Sequence, residues 1–292
     1  MLFLLEKLVV AEVSRICGID FETLLPSRPA VLRLSNPVNI TREILRDLDA
    51  VDYLVTMKCD GTRVVYVVLT AWGCTYHVKL DRKCKFTLVS ERAAEPTECE
   101  GLHYVLDCEE MPNAKLICHD VLLFEDVPVL FRPFVQRLKY LYKLRECPTM
   151  PQPKRFQPLE QLSTIKIDEG DCDGLIFLAL QGTFTPGLSQ DILKWKPIEK
   201  ISIDMLVTKK GAMVRNEGTL VAFDAVTGLD EVQRGLIYEF FFDSSRSLWF
   251  PGHVREDKSQ PNSLYVAQQT ALCVTEAEAI TLNELIMGIE AR

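Results

Sequence analysis

The segment 56–65, TMKCDGTRVV, places a lysine, an aspartate, a glycine and an arginine close together. In extended backbone Lys58 and Asp60 point to the same side, and Gly61 permits a turn and a close backbone approach. An amine attacks phosphorus only when it is deprotonated, a state that burial or a neighbouring cation favours. Arg63 offers forked donors to ribose hydroxyls or phosphate. The segment therefore predicts a lysine nucleophile with charged partners, or else an ordinary solvated turn.

Two acidic motifs could assist such a nucleophile. VLDCEEM sets Asp107 and Glu109 two residues apart, so both carboxylates lie on one face of a strand and could hold a divalent metal or a ribose. DCDGLIF places Asp173 at the mouth of an apolar strand. Each motif taken alone is also compatible with a solvated strand face or a β-turn.

Two basic motifs could bind phosphate. DILKWKP puts Lys194 and Lys196 on one face of a strand, where two ammonium groups repel each other unless an anion lies between them. These lysines would also favour a neutral Lys58. HVREDKSQPN gathers both charge signs before a Pro-Asn turn, which suits a pyrophosphate leaving group and its metal; an exposed edge strand and a surface loop are the alternatives.

Composition limits the class of protein. The 292 residues are 48% hydrophobic and carry a net charge of -8, so a polyanion must be met by a local basic patch. The ten cysteines form no C-x-x-C pair and the four histidines complete no zinc pattern, which indicates scattered thiols in a reducing, intracellular compartment. The start of the chain favours an amphipathic helix over a signal peptide, and no run reaches the length of a membrane span.

Hydrophobic periodicity predicts the elements that position these residues. Short β-branched runs predict strands of a buried sheet at 62–69, 76–80, 103–107, 116–124, 174–180 and 191–195. Helical spacing predicts helices at 41–49, capped by Thr41, and at 134–145. Four prolines indicate a loop over 147–158.

The character of the chain changes after Pro197. Short strands at 201–207, 218–225 and 235–243, separated by glycines and charged turns, predict a small β-barrel and a boundary near residue 200. The C-terminal segment predicts a helix that begins with a capping box of Thr275 and Glu278.

Six segments occur in a fixed order along the chain: KCDGTR, LDCE, HDVLLF, DGLIF, DILKWKP and REDKSQPN. In this order they resemble the six motifs of covalent nucleotidyltransferases, and the chain is similar to mRNA capping enzyme guanylyltransferases. Asp-Gly in the fourth motif and R-x-D-K-x-x-P-N in the last resemble capping enzymes more than DNA ligases of the same superfamily. YHVKLDRKCKF also resembles the family's segment between its first and third motifs. The resemblance covers nearly the whole chain.

The resemblance implies an α+β fold in two domains. A nucleotidyltransferase (ATP-grasp-like) domain of antiparallel sheets and helices would cover residues 1–200. An OB-fold β-barrel that closes over GTP would cover 201–275, and the C-terminal helix, 276–292, would pack back on the first domain.

The resemblance also assigns roles. Lys58 would become guanylylated, Arg63 would contact the ribose and Phe124 would stack near the base. Mg²⁺ or Mn²⁺ would be held by Glu109 and Asp173. The full GTP-binding set that it implies is Asp60, Gly61, Arg63, Glu109, Phe124, Asp173, Lys194 and Lys196.

The phosphates of GTP would be held by the two basic motifs. Lys194 and Lys196 would bind the α-phosphate, whereas Arg255, Asp257 and Lys258 would engage the β- and γ-phosphates. Two positions depart from the family pattern. Cys108 stands where the family usually has glycine, and His253 replaces an arginine, which would weaken one phosphate contact.

The implied reaction is transfer of GMP from GTP, through a lysyl intermediate, to the 5′-diphosphate end of RNA. The alternatives are an ATP-dependent polynucleotide ligase and an inactive capping-like module that only binds RNA or a polymerase; residue spacing does not select the base. Expected partners are a separate RNA triphosphatase, a cap methyltransferase and RNA polymerase. The expected location is the nucleus of a eukaryote, or the host cell or virion for a virus.

Overall fold

The computed structural model describes residues 1–17, 32–49, 52–82, 84–165, 172–256, 258–275 and 280–290. Backbone proximity divides the chain into two units. The first comprises Met1–Asn39 and Asp49–Lys194, and the second comprises Ile40–Leu48 and Trp195–Arg292. The functional division at residue 200 stays a prediction.

The described helices include the two predicted between the strands. They are α1 (Leu2–Cys17), α2 (Arg42–Asp47), α3 (Phe134–Lys143), α4 (Leu264–Thr275) and α5 (Leu282–Glu290). Helix α2 confirms the predicted cap, because the Thr41 hydroxyl accepts a hydrogen bond from the Ile44 N–H at 3.2 Å. No helix in the described ranges has both the length and the apolar content needed to span a membrane.

The first unit is built on two sheets. Its described strands are β1 (Ser35–Asn39), β2 (Tyr53–Cys59), β3 (Thr62–Ala71), β4 (Cys74–Asp81), β5 (Phe86–Ala93), β6 (Gly101–Glu110), β7 (Leu116–Phe124), β8 (Val127–Pro128), β9 (Gln152–Pro153), β10 (Gln157–Pro158), β11 (Cys172–Ala179) and β12 (Gly187–Trp195). The larger sheet has the order β5-β4-β3-β6-β7-β8 with β9 beside β7, and the smaller has the order β1-β12-β11-β2-β10. The six predicted strands are confirmed, whereas the expected loop contains the short strands β9 and β10.

Strand β3 is buried on both faces, which explains its continuous apolar run. Val65 and Val67 belong to one core cluster with α1, which buries Leu5 and Val9 one turn apart. Val64 belongs to the opposite cluster, together with residues of α3. The strand is thereby fixed between two cores, and its N-terminal end carries the start of the candidate site.

The second unit contains one described sheet with the order β15-β14-β13-β16-β17. Its strands are β13 (Ser202–Thr208), β14 (Gly211–Asn216), β15 (Thr219–Ala222), β16 (Ile237–Asp243) and β17 (Leu248–Val254). The predicted barrel is not seen as a closed barrel in this part of the chain. The two end strands do not pair, because the chain leaves β15 after four residues and only an isolated bridge from Val226 reaches Trp249 of β17.

The C-terminal helix α5 packs against α2 within the second unit. Arg42 forms an ion pair with Glu284 at 3.0 Å, and a Cβ at Gly288 would lie 3.0 Å from Leu45. The predicted partner of Thr275, Glu278, lies outside the described residues. In the described structure Thr275 is the last residue of α4.

A capping box does precede α5, six residues later than predicted. The Thr281 N–H donates to the Glu284 carboxylate at 2.8 Å, and the Glu284 N–H donates to the Thr281 hydroxyl at 3.2 Å. The sequence contains two T-x-x-E patterns in succession, and the second is the one with reciprocal hydrogen bonds in the structure.

Candidate active site

Lys58 and Asp173 form an ion pair across two neighbouring strands of the smaller sheet. The Lys58 Nζ donates to Asp173 Oδ1 at 2.6 Å. The side chains are 22% and 13% exposed, so the pair is reachable from solvent but largely desolvated. The structure thus brings together the lysine of the first motif and the aspartate of the fourth, which are 115 residues apart.

A β-bulge directs Asp173 toward the lysine. Strand β11 runs antiparallel to β2 and pairs Cys172 with Cys59, but the next partners are Gly174 and Lys58. Asp173 is therefore the extra residue on β11. A bulge bends its strand and re-aims a side chain, and such irregularities are common beside active sites.

Glu109 contacts the turn that follows Lys58. Its carboxylate accepts a hydrogen bond from the Gly61 N–H at 3.2 Å. A Cβ on Gly61 would lie 2.5 Å from the backbone oxygen of Glu110, so only glycine fits this approach. Asp60 is exposed at the same turn. The turn and Glu109 are thereby held together beside the candidate nucleophile.

Arg63 is tied to the other acid of the third motif. Its Nε donates to Asp107 Oδ1 at 2.8 Å, and its Nη2 also contacts Asp107 Oδ2. A further donor reaches the backbone oxygen of Ser35 at 2.7 Å. Only 10% of the Arg63 side chain is exposed. In this structure Arg63 organises the site, and its predicted ribose contact stays a prediction.

His119 is a site residue to which the sequence reasoning gave no role. Its Nε2 lies 3.1 Å from Asp107 Oδ1, the same oxygen that accepts a hydrogen bond from Arg63 Nε. Burial alone would raise the pKa of Asp107, but the Arg63 charge, the His119 charge and the hydrogen bonds from both hold it well below its usual value. The histidine stands in the quoted motif HDVLLF, where its place beside an acidic residue was the available signal.

Lys194 and Lys196 alternate with buried residues, as predicted. Leu193 and Trp195 are buried, whereas Lys194 and Lys196 are partly exposed. Strand β12 follows β11 after only seven residues, and parallel neighbours need a longer crossover, so the two strands are antiparallel. The C-terminal end of β12 therefore lies beside the N-terminal end of β11. This places Lys194 at the same end of the sheet as Asp173.

Phe124 is not brought to this group. Its ring is 6% exposed and packs against Tyr104 and Tyr140, with centroids 5.3 Å and 5.0 Å away. It lies at the far end of β7 from Ile117, the strand partner of Glu109. The expected stacking on the base stays a prediction, and in this structure the aromatic residues of β6 and α3 enclose the ring.

In the second unit, two cations of the last motif converge on one carboxylate. Asp204 of β13 lies 2.8 Å from Arg255 Nη1 and 3.4 Å from Lys258 Nζ. Asn262 hydrogen-bonds both the backbone N–H and the backbone oxygen of Asp204, each at 2.8 Å. The third charged residue of the motif, Asp257, lies outside the described residues. Asp204 therefore holds the motif against β13. The sequence analysis gave Asp204 no role, although an acidic residue inside the apolar strand segment ISIDMLV was a signal for one.

The two departures from the family pattern differ in exposure. Cys108 is fully buried and faces Cys118 across β6 and β7. His253 is exposed on β17. Cys108 thus fills space in the core behind the acids, whereas His253 is open to solvent.

Glu109 and Asp173 supply the kind of oxygen donor that Mg²⁺ and Mn²⁺ prefer. Magnesium is commonly held by one or two carboxylates, with waters and substrate phosphates completing its shell. No cluster of three or more metal-binding side chains occurs among the described residues. The donor set fits a metal that is held jointly with a nucleotide.

This chain is similar to known mRNA capping enzymes. A family model described as "mRNA capping enzyme, catalytic domain" matches residues 8–156. The mRNA-capping enzyme of Danio rerio is 24% identical over 88% of this chain and 49% of its own length. The chain therefore spans about half the length of this curated relative.

Solved structures of DNA ligases are also similar. A mycobacterial DNA ligase D complexed with ATP and MES is 14% identical, covers 77% of this chain and 94% of its own, and has a TM-score of 0.48. The ATP-dependent DNA ligase from bacteriophage T7 is 12% identical, covers 76% and 98%, and has a TM-score of 0.42. Because the family model covers just over half of the chain, the protein belongs to the mRNA capping enzyme catalytic-domain family, and with it to the nucleotidyltransferases.

Proposed function

We propose that the protein is a GTP:mRNA guanylyltransferase that works through a covalent lysyl-GMP intermediate. The observation that carries the proposal is the Lys58–Asp173 pair, set by adjacent strands in a chain of the capping enzyme family. Lysine is the nucleophile that such transfer needs, and the bulge at Asp173 gives it a defined position.

In the first half-reaction the neutral Nζ of Lys58 attacks the α-phosphorus of GTP. A P–N bond forms and the P–O bond to pyrophosphate breaks. Asp173 orients the amine, while Lys194 and Lys196 offset the charge that develops on the α-phosphate. Glu109 and Asp173 are the donors that would hold Mg²⁺ or Mn²⁺, which when bound offsets further phosphate charge.

The leaving pyrophosphate requires its own cations. Arg255 and Lys258, ordered on Asp204, are the proposed contacts to the β- and γ-phosphates. Asp257 is proposed as a third contact. In the second half-reaction a 5′-diphosphate RNA end attacks the phosphorus and releases Lys58. We further propose that the second unit is an OB-fold.

The test is incubation with radiolabelled GTP or ATP in the presence of Mg²⁺ or Mn²⁺. We expect a covalent GMP adduct on the wild type and none on Lys58→Ala. Lys79→Ala is the matched control, because Lys79 pairs with Glu110 and is 21% exposed. It should label normally.

Each other outcome has a defined meaning. An AMP adduct together with nick sealing would replace the proposal with a polynucleotide ligase. The absence of any adduct would favour a binding module. Labelling of Lys58→Ala would show that a different residue is the nucleophile.

A further inference from the structure

Two cysteines lie directly opposite each other beside the candidate nucleophile. Cys59 is the last residue of β2, Cys172 is the first of β11, and the two are register partners in the antiparallel ladder. Both are partly exposed. No cysteine in the described ranges is part of a disulfide.

The pairing geometry is close to that of a disulfide. Directly opposed antiparallel residues point to the same face, with Cβ atoms roughly 4.5–5.5 Å apart. A disulfide needs Cβ atoms about 3.5–4.5 Å apart. The difference is on the order of 1 Å, which strand ends accommodate more easily than strand centres.

These cysteines are covalent neighbours of the ion pair. Cys59 follows Lys58, and Cys172 precedes Asp173. The register shift lies between Cys172 and Gly174, so a bond from Cys172 would pull on the bulge itself. Any movement that joins the two sulfurs therefore displaces the backbone that sets the Lys58–Asp173 contact.

We propose that Cys59 and Cys172 form a redox-sensitive site, whose oxidation to a disulfide by a peroxide inhibits nucleotide transfer to Lys58. One thiolate attacks the peroxide, gives a sulfenic acid and releases hydroxide, which takes up the proton that the thiol had lost and becomes water. The second thiolate then attacks that sulfur and displaces hydroxide. The hydroxide takes up a proton and becomes the second water. The two sulfurs lose two electrons in all and the peroxide gains them, and an added dithiol reverses the change.

The protein contains its own comparison pair. Cys108 and Cys118 are also register partners, across β6 and β7, and they lie beside Asp107 and Glu109. Both are fully buried. Burial and the neighbouring Cys108 thiol raise the pKa of Cys118, which disfavours the reactive thiolate. The two pairs share their strand pairing but differ in access, so only Cys59 and Cys172 should react.

The experiment treats the folded protein with hydrogen peroxide, alkylates the remaining thiols and maps non-reduced peptides by mass spectrometry. We expect a Cys59–Cys172 cross-linked peptide and no Cys108–Cys118 peptide. The variants Cys59→Ser and Cys172→Ser should lack the cross-link and keep their labelling activity after peroxide treatment. Cys108→Ser is the control that should remain as sensitive as the wild type.

The effect on activity is measured as the rate of GMP–lysine formation before and after oxidation. We expect a loss of about tenfold or more, restored by dithiothreitol, because a displacement on the order of 1 Å at a reacting group can cost about 100-fold. Absence of the cross-linked peptide would overturn the proposal. So would a cross-link that leaves the labelling rate unchanged.

Inhibition of Lys58 rests on the proposed function, but the cross-link does not. If the reduced protein never labels, the proposed function fails while the peptide map still reports whether the thiols join. If the reduced protein labels and no cross-link forms, only the redox inference fails.

Discussion

The charged groups of the two units are built in different ways. In the first unit the acids that contact Lys58 and Arg63 come from strands, and Asp107 and Asp173 are largely buried. In the second unit Arg255 and Lys258 follow the last strand and are 27% and 36% exposed, compared with 22% and 10% for Lys58 and Arg63. Among the described residues, the carboxylate of Asp204 contacts both cations.

The difference suggests a division of labour. A group that forms a bond must be held within a fraction of an ångström, and strands locked by paired neighbours can do this. Residues that contact a departing anion can be more mobile, because the anion must leave. A segment that follows a strand, as the one with Arg255 and Lys258 does, allows such mobility. If so, the first group should be the more rigid and the more costly to disturb.

The largest expected effect comes from Arg63→Met. Removing the guanidinium leaves Asp107 buried without the charge that it pairs with, so we expect a loss of about 3–5 kcal/mol in the free energy of unfolding. Denaturant titration measures it. Arg92→Met, which breaks the exposed pair with Glu98, is the control and should cost far less. Equal losses for the two variants would contradict the strand-held group.

Asp204→Asn should have a smaller effect on stability and a separate effect on activity. We expect a loss of about 2–3 kcal/mol in the free energy of unfolding. The amide can still hydrogen-bond at this buried position, but it lacks the negative charge that attracts the two cations. The KM for GTP in the labelling reaction should rise with little change in kcat. Asp243→Asn, at a partly exposed position on the same sheet whose carboxylate pairs with Arg246, should lower the free energy of unfolding less and leave the KM unchanged. An unchanged kcat/KM for GTP would count against the role of these cations in binding and releasing pyrophosphate.

Gly61→Ala tests the close approach beside Lys58. The added methyl would collide with the backbone oxygen of Glu110, which cannot move aside as a flexible side chain could. We therefore expect a loss of about 1–2 kcal/mol in the free energy of unfolding. The labelling rate should fall as the turn shifts. Gly73→Ala, in a hairpin turn with a φ of 72° and open space around it, should lose some stability yet label normally. Reduced labelling by both variants would show a general effect of stability instead.

The smallest expected effect is on acid stability. The pKa of Asp107 is depressed in the folded protein, so its contribution to stability is complete above the unfolded value, about 3.9, and is lost as the pH falls toward the folded value. Asp107→Asn should therefore show a shallower decline in the free energy of unfolding below about pH 4. Parallel pH profiles for the variant and the wild type would contradict this linkage.

The sequence predicted most strands of the first unit because their apolar runs are continuous, as in β3 between its two cores. It missed β5, whose side chains are mostly exposed and which therefore lacks a periodic signal. It also missed β1, which contains Pro37 and pairs with a strand some 150 residues later. Such strands are specified by their partners more than by their own residues.

The candidate site shows the same limit. Motif order indicated that Lys58 and Asp173 belong to one site, and the structure brings them into contact. The bulge that aims Asp173, the His119 contact and the role of Asp204 follow from register and tertiary packing, which no local pattern encodes. At Phe124 the sequence pattern does not decide, because an aromatic residue at a strand end suits a core as well as a base.

The central claim is that Lys58 is the covalent nucleophile for a guanine nucleotide. Mass spectrometry of the protein after incubation with GTP and Mg²⁺ tests it most directly, by locating the modified residue. We predict one GMP on the peptide that contains Lys58, reversed by added pyrophosphate. GMP on another residue, or AMP on Lys58 when both nucleotides compete, would contradict the claim.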